Sequence, residues 1–133
     1  MIYALDSNVV SDLIKNDVSV AARYLHEFEK GNDLVIPPIV YYEVKRWLVA
    51  KKYDQRLARF EILCKRIKPV DFDWSVWEEA TQLYAKLSKQ GKLIDDFDLF
   101  IAAFCLVNNY ILVTNNTRHF ERINELQLVN WKA

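Results

Sequence analysis

The 133-residue chain contains only two glycines, Gly31 and Gly91. They lie too far apart for a G-x-G-x-x-G turn or a Walker A loop, and nucleotide-binding folds built on those loops are excluded. Two cysteines, Cys64 and Cys105, and two histidines, His26 and His119, are spaced like no zinc finger or ribbon. Both cysteines fall in apolar helical patterns, as expected of reduced residues in a cytosolic protein. No apolar run is long enough for a bilayer: the longest uncharged stretch, Leu99 to Thr117, carries Asn108 and Asn109 in its centre. The first residues lack a basic leader and meet Asp6 at once, so no signal peptide is read there, and a soluble cytoplasmic protein is expected. Net charge is also lacking, with 18 basic and 18 acidic residues in balance.

What is present is a hydrophobic fraction of 52%, enough for one domain with its own core, and residues 1–133 are read as a single domain. Locally the charge is uneven. Nine basic residues face two acidic ones between Lys45 and Lys68, a basic segment in a neutral protein. Ile2 to Leu5, Leu34 to Ile36, Ile67 to Val70, Tyr110 to Val113 and Leu126 to Trp131 read as short strands, the last weaker than the others. Helical spacing covers Val18 to Lys30, with Val18, Ala21, Ala22, Leu25 and Phe28 as its apolar positions. Further helices run from Pro38 through Leu48, from Gln55 to Arg66, from Trp74 to Lys89 and from Asp95 to Val107. Alternating strands and helices predict an α/β fold with a mostly parallel sheet.

In such a sheet the ligand crevice lies beyond the carboxyl ends of the strands. Asp6 follows the first strand, Glu43 rides on the helix leaving the second, and Thr114 to Asn116 follow the strand after Tyr110. Asp98, with Asp95 on the same face, opens the helix feeding that strand. Carboxylates gathered round one crevice call for a hard cation, and oxygen ligands select magnesium, with manganese as a substitute. Such a site suits metal-assisted phosphodiester hydrolysis. Blander roles stand beside this one: Asp6 as a helix cap, Asp95 and Asp96 as helix-dipole partners, and Glu43 as a partner of Lys45 or Arg46. Asp98 is the sharpest signal, being a charge flanked by Phe97 and Leu99 on a helix apolar nearly all round. Ser7 and Thr114 are placed as residues orienting these carboxylates, with capping and strand-end roles equally open. Lys45, Arg46, Lys51, Lys52 and Arg56 are placed as an RNA-binding rim, the alternative being a solvated face. The four tryptophans, Trp47, Trp74, Trp77 and Trp131, read as core or interface anchors, and His119 has no nucleophile beside it in sequence.

The segments IYALDSNVVSDLI, VIPPIVYYEV, LIDDFDLFIAAFCLVNNYILVTNN, TRHFERI and LVNW resemble the PIN-domain toxins of the VapC type. The resemblance implies a three-layer α/β/α sandwich and a magnesium-dependent endoribonuclease, the toxin of a type II toxin–antitoxin pair, with transfer RNA one candidate target. Residue by residue it carries the acidic ligands onto Asp6, Glu43 and Asp98, assisted by Asp95, and it places Asn116 where many relatives have a fourth aspartate. A cognate antitoxin encoded beside it is implied, with its tail across the groove. The aromatic helices suggest a homodimer, with a larger toxin–antitoxin assembly as a further form. Two rivals are weaker. A phosphatase with an aspartate after its first strand usually has a second one two residues on, where this chain has Asn8, and a non-catalytic RNA-binding PIN module would have no need of all three carboxylates.

Overall fold

The computed structural model describes residues 1–132. Ile2–Leu5 forms β1, whose Tyr3, Ala4 and Leu5 are buried, as an apolar tetrapeptide inside a parallel sheet must be. The sheet has four strands in the order β2-β1-β3-β4, with β2 at Asp33–Val35, β3 at Ile111–Val113 and β4 at Leu128–Val129. Every pairing is parallel, with Tyr3 opposite both Leu34 and Ile111 and Leu5 opposite Val113. The helices are α1 (Ser7–Ile14), α2 (Val18–Glu29), α3 (Pro38–Ala50), α4 (Asp54–Arg66), α5 (Trp74–Lys89), α6 (Asp96–Asn108) and α7 (Thr117–Phe120). They flank the sheet in the expected α/β/α arrangement.

Local sequence explains most boundaries. Pro37 and Pro38 stop β2 and open α3, because a ring without an N–H is harmless in a first helical turn. Asn109 closes α6 in the left-handed region, φ 57°, a conformation that asparagine tolerates. Gly91 does the same after α5 at φ 67°.

Two expectations change. The segment 67–70 is reduced to one parallel bridge between Ile36 and Pro69, since proline offers no N–H to extend a ladder. On α2 the buried residues are Val20, Tyr24 and Glu27, whereas Val18, Leu25 and Phe28 face solvent. The helix rolls this way because the Glu27 carboxylate finds Asn32 Nδ2 at 2.6 Å and Arg23 Nε at 3.2 Å, which makes its burial tolerable. Of the tryptophans, read as core or interface anchors, Trp131 is buried, while Trp77, Trp47 and Trp74 are exposed, Trp77 packing on Phe72 and Phe100.

Burial of α6 positions the site. Leu99, Ile101, Ala102, Ala103, Phe104 and Cys105 are all buried, so the helix cannot rotate without opening the core, and Asp98 is held at its first turn. Phe120, fully buried on α7, pins the loop after β3 in the same way.

Candidate active site

The end of β1 lies against the end of β3. Asp6 N donates to Val113 O at 3.0 Å, and one residue later the chain turns into α1 with Asp6 as its N-cap. The Asp6 carboxylate is therefore drawn inside, with its residue 2% exposed. Its Oδ1 accepts from Ser7 N at 2.8 Å, and its Oδ2 accepts from the Thr114 hydroxyl at 2.8 Å and from Asn8 Nδ2 at 3.1 Å. Burial pushes its pKa above the ordinary carboxylate value, while the bonds from Thr114, Ser7 and Asn8 pull the other way. Asp6 thus does act as a cap, and the same geometry fixes its carboxylate at the sheet's carboxyl edge.

Asn8, which the sequence offers only as a capping neighbour of Asp6 and as an argument against a phosphatase, ties these elements together. Its Nδ2 also reaches Thr114 Oγ1 at 3.3 Å, and its Oδ1 accepts from Asn115 N at 3.1 Å. Asn116 N donates to Thr114 Oγ1 at 3.0 Å. Thr114 is buried and contacts Asp6 through its side chain, and Ser7 meets it chiefly through the backbone with a weaker contribution from its hydroxyl. The partners are more than a hundred residues apart in sequence, so no local signal could have shown the network.

Glu43 comes from the second turn of α3. Its Oε1 is buried and has no hydrogen-bond partner among the described residues. Burial, then the charges of Asp6 and Asp98, raise its pKa to about 7, with Arg46 pulling the other way and Asp95 adding the least. Asp98 is raised to about 6, first by burial and then by Asp6 and Asp95. These mutual shifts place Asp6, Glu43 and Asp98 in one electrostatic neighbourhood, with exposed Asp95 at its margin as the N-cap of α6.

His119 stands at this site too. Its Nδ1 lies 3.6 Å from Asp98 Oδ2 and 3.5 Å from Asn116 Nδ2. The signal available in sequence was the three-residue spacing of Asn116 and His119, which one helical turn brings together. Asn116 itself is exposed.

The residues placed as a basic rim make different local contacts. Lys45 turns to the Tyr41 hydroxyl at 2.8 Å. Arg46 lies over the rings of Tyr42 and Phe97, near the carboxylates, while Lys51 and Lys52 occupy the exposed turn after α3 and Arg56 covers Tyr53.

Among the described residues no group of three or more histidine, cysteine, aspartate or glutamate side chains is placed to hold a metal ion together. Magnesium does not require one, because it retains several of its waters in place of protein ligands. The orphaned Glu43 oxygen and the mutually repelling carboxylates fit an ion of that kind.

The PIN-domain family pattern matches residues 3–126. The chain belongs to the PIN-domain family. Within that family it is of the VapC type. It is 31% identical over 132 residues to ribonuclease VapC1 of Haemophilus influenzae (strain R2866), covering 98% of both chains. It is 30% identical over 134 residues to the tRNA(fMet)-specific endonuclease VapC of Shigella flexneri, covering 97% of both. Its fold superposes with a TM-score of 0.90 and 32% identity on a chain of VapBC2 from Rickettsia felis, a complex bound to a DNA fragment from its promoter, over 99% of this chain and 100% of that one. Buried Asp6, half-buried Glu43 and Asp98 and the polar Thr114–Asn116 loop together line an anionic crevice in this PIN-domain fold.

Proposed function

We propose that this VapC-type PIN domain, residues 1–133, is an endoribonuclease and the toxin of a toxin–antitoxin pair. It acts in the cytoplasm and is inhibited by an antitoxin encoded beside it. The single observation that carries the chemistry is the buried, unpartnered Glu43 oxygen facing the charges of Asp6 and Asp98. Left bare, such a group is destabilising; a divalent cation, magnesium or in its place manganese, neutralises it. When bound, that cation supplies Lewis acidity toward a phosphoryl oxygen and a water of lowered pKa. Asp6, Glu43 and Asp98 hold it, with Asp95 close by, and no side chain is needed as nucleophile.

The chain's own contribution is positioning. Ser7, Asn8 and Thr114 hold Asp6 rigidly at both oxygens. Asn116 supplies a neutral amide at the crevice mouth, which lowers the negative charge that an approaching phosphate must meet. His119 bears on Asp98 and sets the position of its outer oxygen. The VapC relatives named as ribonucleases support RNA as substrate, and the Shigella flexneri relative makes transfer RNA the class to try first. The Rickettsia felis neighbour, a VapBC complex, supports a proteinaceous antitoxin, and the exposed aromatic residues of α3 and α5 suit a homodimer.

The test is incubation of the purified chain with total transfer RNA. Cleavage with magnesium, none with chelator, and suppression by the antitoxin from the adjacent reading frame are expected. Intact RNA in magnesium and in manganese would refute the reading.

A further inference from the structure

A groove runs from the carboxylates along the seam of α1 and α3, lined by Ser7, Ser11, Lys15, Glu43, Arg46 and Trp47. Ser7, Ser11 and Lys15 recur every four residues and so share one face of α1, as Glu43 and Trp47 share one face of α3. Trp47 is 40% exposed, an unusual position for an indole in a chain with a full core. Lys15 Nζ lies 5.9 Å from the centre of its ring, and the Tyr53 ring meets it edge-on at 5.0 Å. Beyond Tyr53, Arg56 covers the phenol at 4.9 Å. Two adjacent rings, Trp47 and Tyr53, therefore lie between two cations, Lys15 and Arg56.

Among the described residues Lys15, Arg46 and Arg56 have no carboxylate at ion-pair distance. Unpaired cations beside exposed rings are the combination that binds a single nucleic-acid strand, phosphates to the cations and bases to the ring faces. The unpaired positive charge of Lys15, Arg46 and Arg56 favours a polyanion along this groove. The reach also fits: Trp47 stands four residues from Glu43, about 6 Å along the helix. A base stacked on a side chain has to be unpaired, because an A-form helix keeps its bases stacked on one another.

Resting on the ribonuclease reading above, we propose that this groove is a subsite for one unpaired nucleotide next to the scissile phosphate. Its base stacks on Trp47 and its own phosphate is held by Lys15 and Arg46. The hydroxyls of Ser7 and Ser11 line the floor and offer donors to the sugar and phosphate oxygens. The enzyme then prefers loops and single-stranded tails to duplexes, and the contact at Trp47 contributes to the choice of cleavage position.

The experiment measures anisotropy of a short fluorescent single-stranded RNA and of a matching duplex, using protein made inactive by Asp98→Asn. Adding Trp47→Leu should raise the single-strand Kd about tenfold, while Trp47→Phe retains most of the affinity. Lys15→Ala should reduce the slope of log Kd against log salt by about one, with no dependence on whether the indole site is perturbed. Duplex affinity should not respond to Trp47→Leu. In the active protein the same substitution should raise KM for a loop substrate more than it lowers kcat. Unchanged single-strand affinity in both Trp47→Leu and Lys15→Ala would overturn the proposal. So would a Trp47→Leu defect confined to binding a synthetic peptide of the antitoxin tail, which would assign the groove to that protein. A wild-type chain that fails to cleave any RNA sinks the ribonuclease reading alone, because the binding assay with inactive protein still reports on the groove.

Discussion

Replacing Glu43 by Gln should make the metal-free protein more stable at neutral and alkaline pH. The amide keeps the shape of the side chain and removes a charge that is half-buried, has one oxygen without a partner and is repelled by Asp6, Asp98 and Asp95. In the folded protein this carboxyl titrates at about 7 against its ordinary 4.5. The folded chain thus holds the Glu43 proton more tightly than the unfolded chain does. Its contribution to stability is complete below about pH 4.5 and is lost as pH rises through about 7. The ceiling on that loss is about 3.4 kcal/mol, and partial solvation of the site reduces it to about 1–2 kcal/mol. At pH 8 in chelator, Glu43→Gln should exceed wild type by about that amount, a rise of roughly 3–8 °C in Tm. At pH 4 the two should coincide, because wild-type Glu43 is then protonated. Scanning calorimetry across this range is the assay. Excess magnesium should erase or reverse the advantage at pH 8, since the variant has lost a ligand. A Glu43→Gln protein less stable than wild type at pH 8 without metal, or equally stabilised at both pH values, would refute the electrostatic argument.

Magnesium or manganese at a hundredfold over Kd should stabilise the wild-type chain by about 2.7 kcal/mol, and Asp98→Asn should respond much less in the same thermal-shift series. Asn8→Ala, which strips donors from Asp6 and Thr114 and an acceptor from Asn115, should cost about 1–3 kcal/mol in urea melts and lower cleavage with it, whereas a neutral effect would remove Asn8 from the account. Changing Lys51, Lys52 and Arg56 together to Glu should reduce cleavage at limiting RNA and flatten its salt dependence while manganese affinity is kept; equal cleavage across a salt series would make that turn a solvated face.

How much of this was legible depends on the range of the interaction involved. β1 and the turn at Asp6 were readable because an apolar tetrapeptide followed by Asp6-Ser7-Asn8 encodes both strand and cap within a few residues. Asp98 was readable for a similar reason: a charge on a helix buried nearly all round stands out against its neighbours. The wider role of Asn8 was not, because it depends on Thr114 and Asn115 at the far end of the chain. The inward face of α2 was misjudged because hydrophobic spacing favoured Leu25 and Phe28, while Asn32 and Arg23 made Glu27 the better buried residue. Trp47 looked like a core residue by type, and only the packing of α1 beside α3 left its ring in a groove with Lys15. The basic run between Lys45 and Lys68 looked continuous, yet helical geometry turned Lys45 toward Tyr41 and Arg46 toward the carboxylates.

The central claim is that Asp6, Glu43 and Asp98 jointly hold one divalent cation on which RNA hydrolysis depends. Manganese binding followed by electron paramagnetic resonance, with transfer RNA cleavage measured in the same samples, tests it most directly. For wild type, cleavage should rise in step with bound manganese. Asp6→Asn, Glu43→Gln and Asp98→Asn should each weaken binding and cleavage together while remaining folded. Full manganese occupancy in all three variants, or cleavage by wild type that persists when no manganese or magnesium is bound, would contradict it.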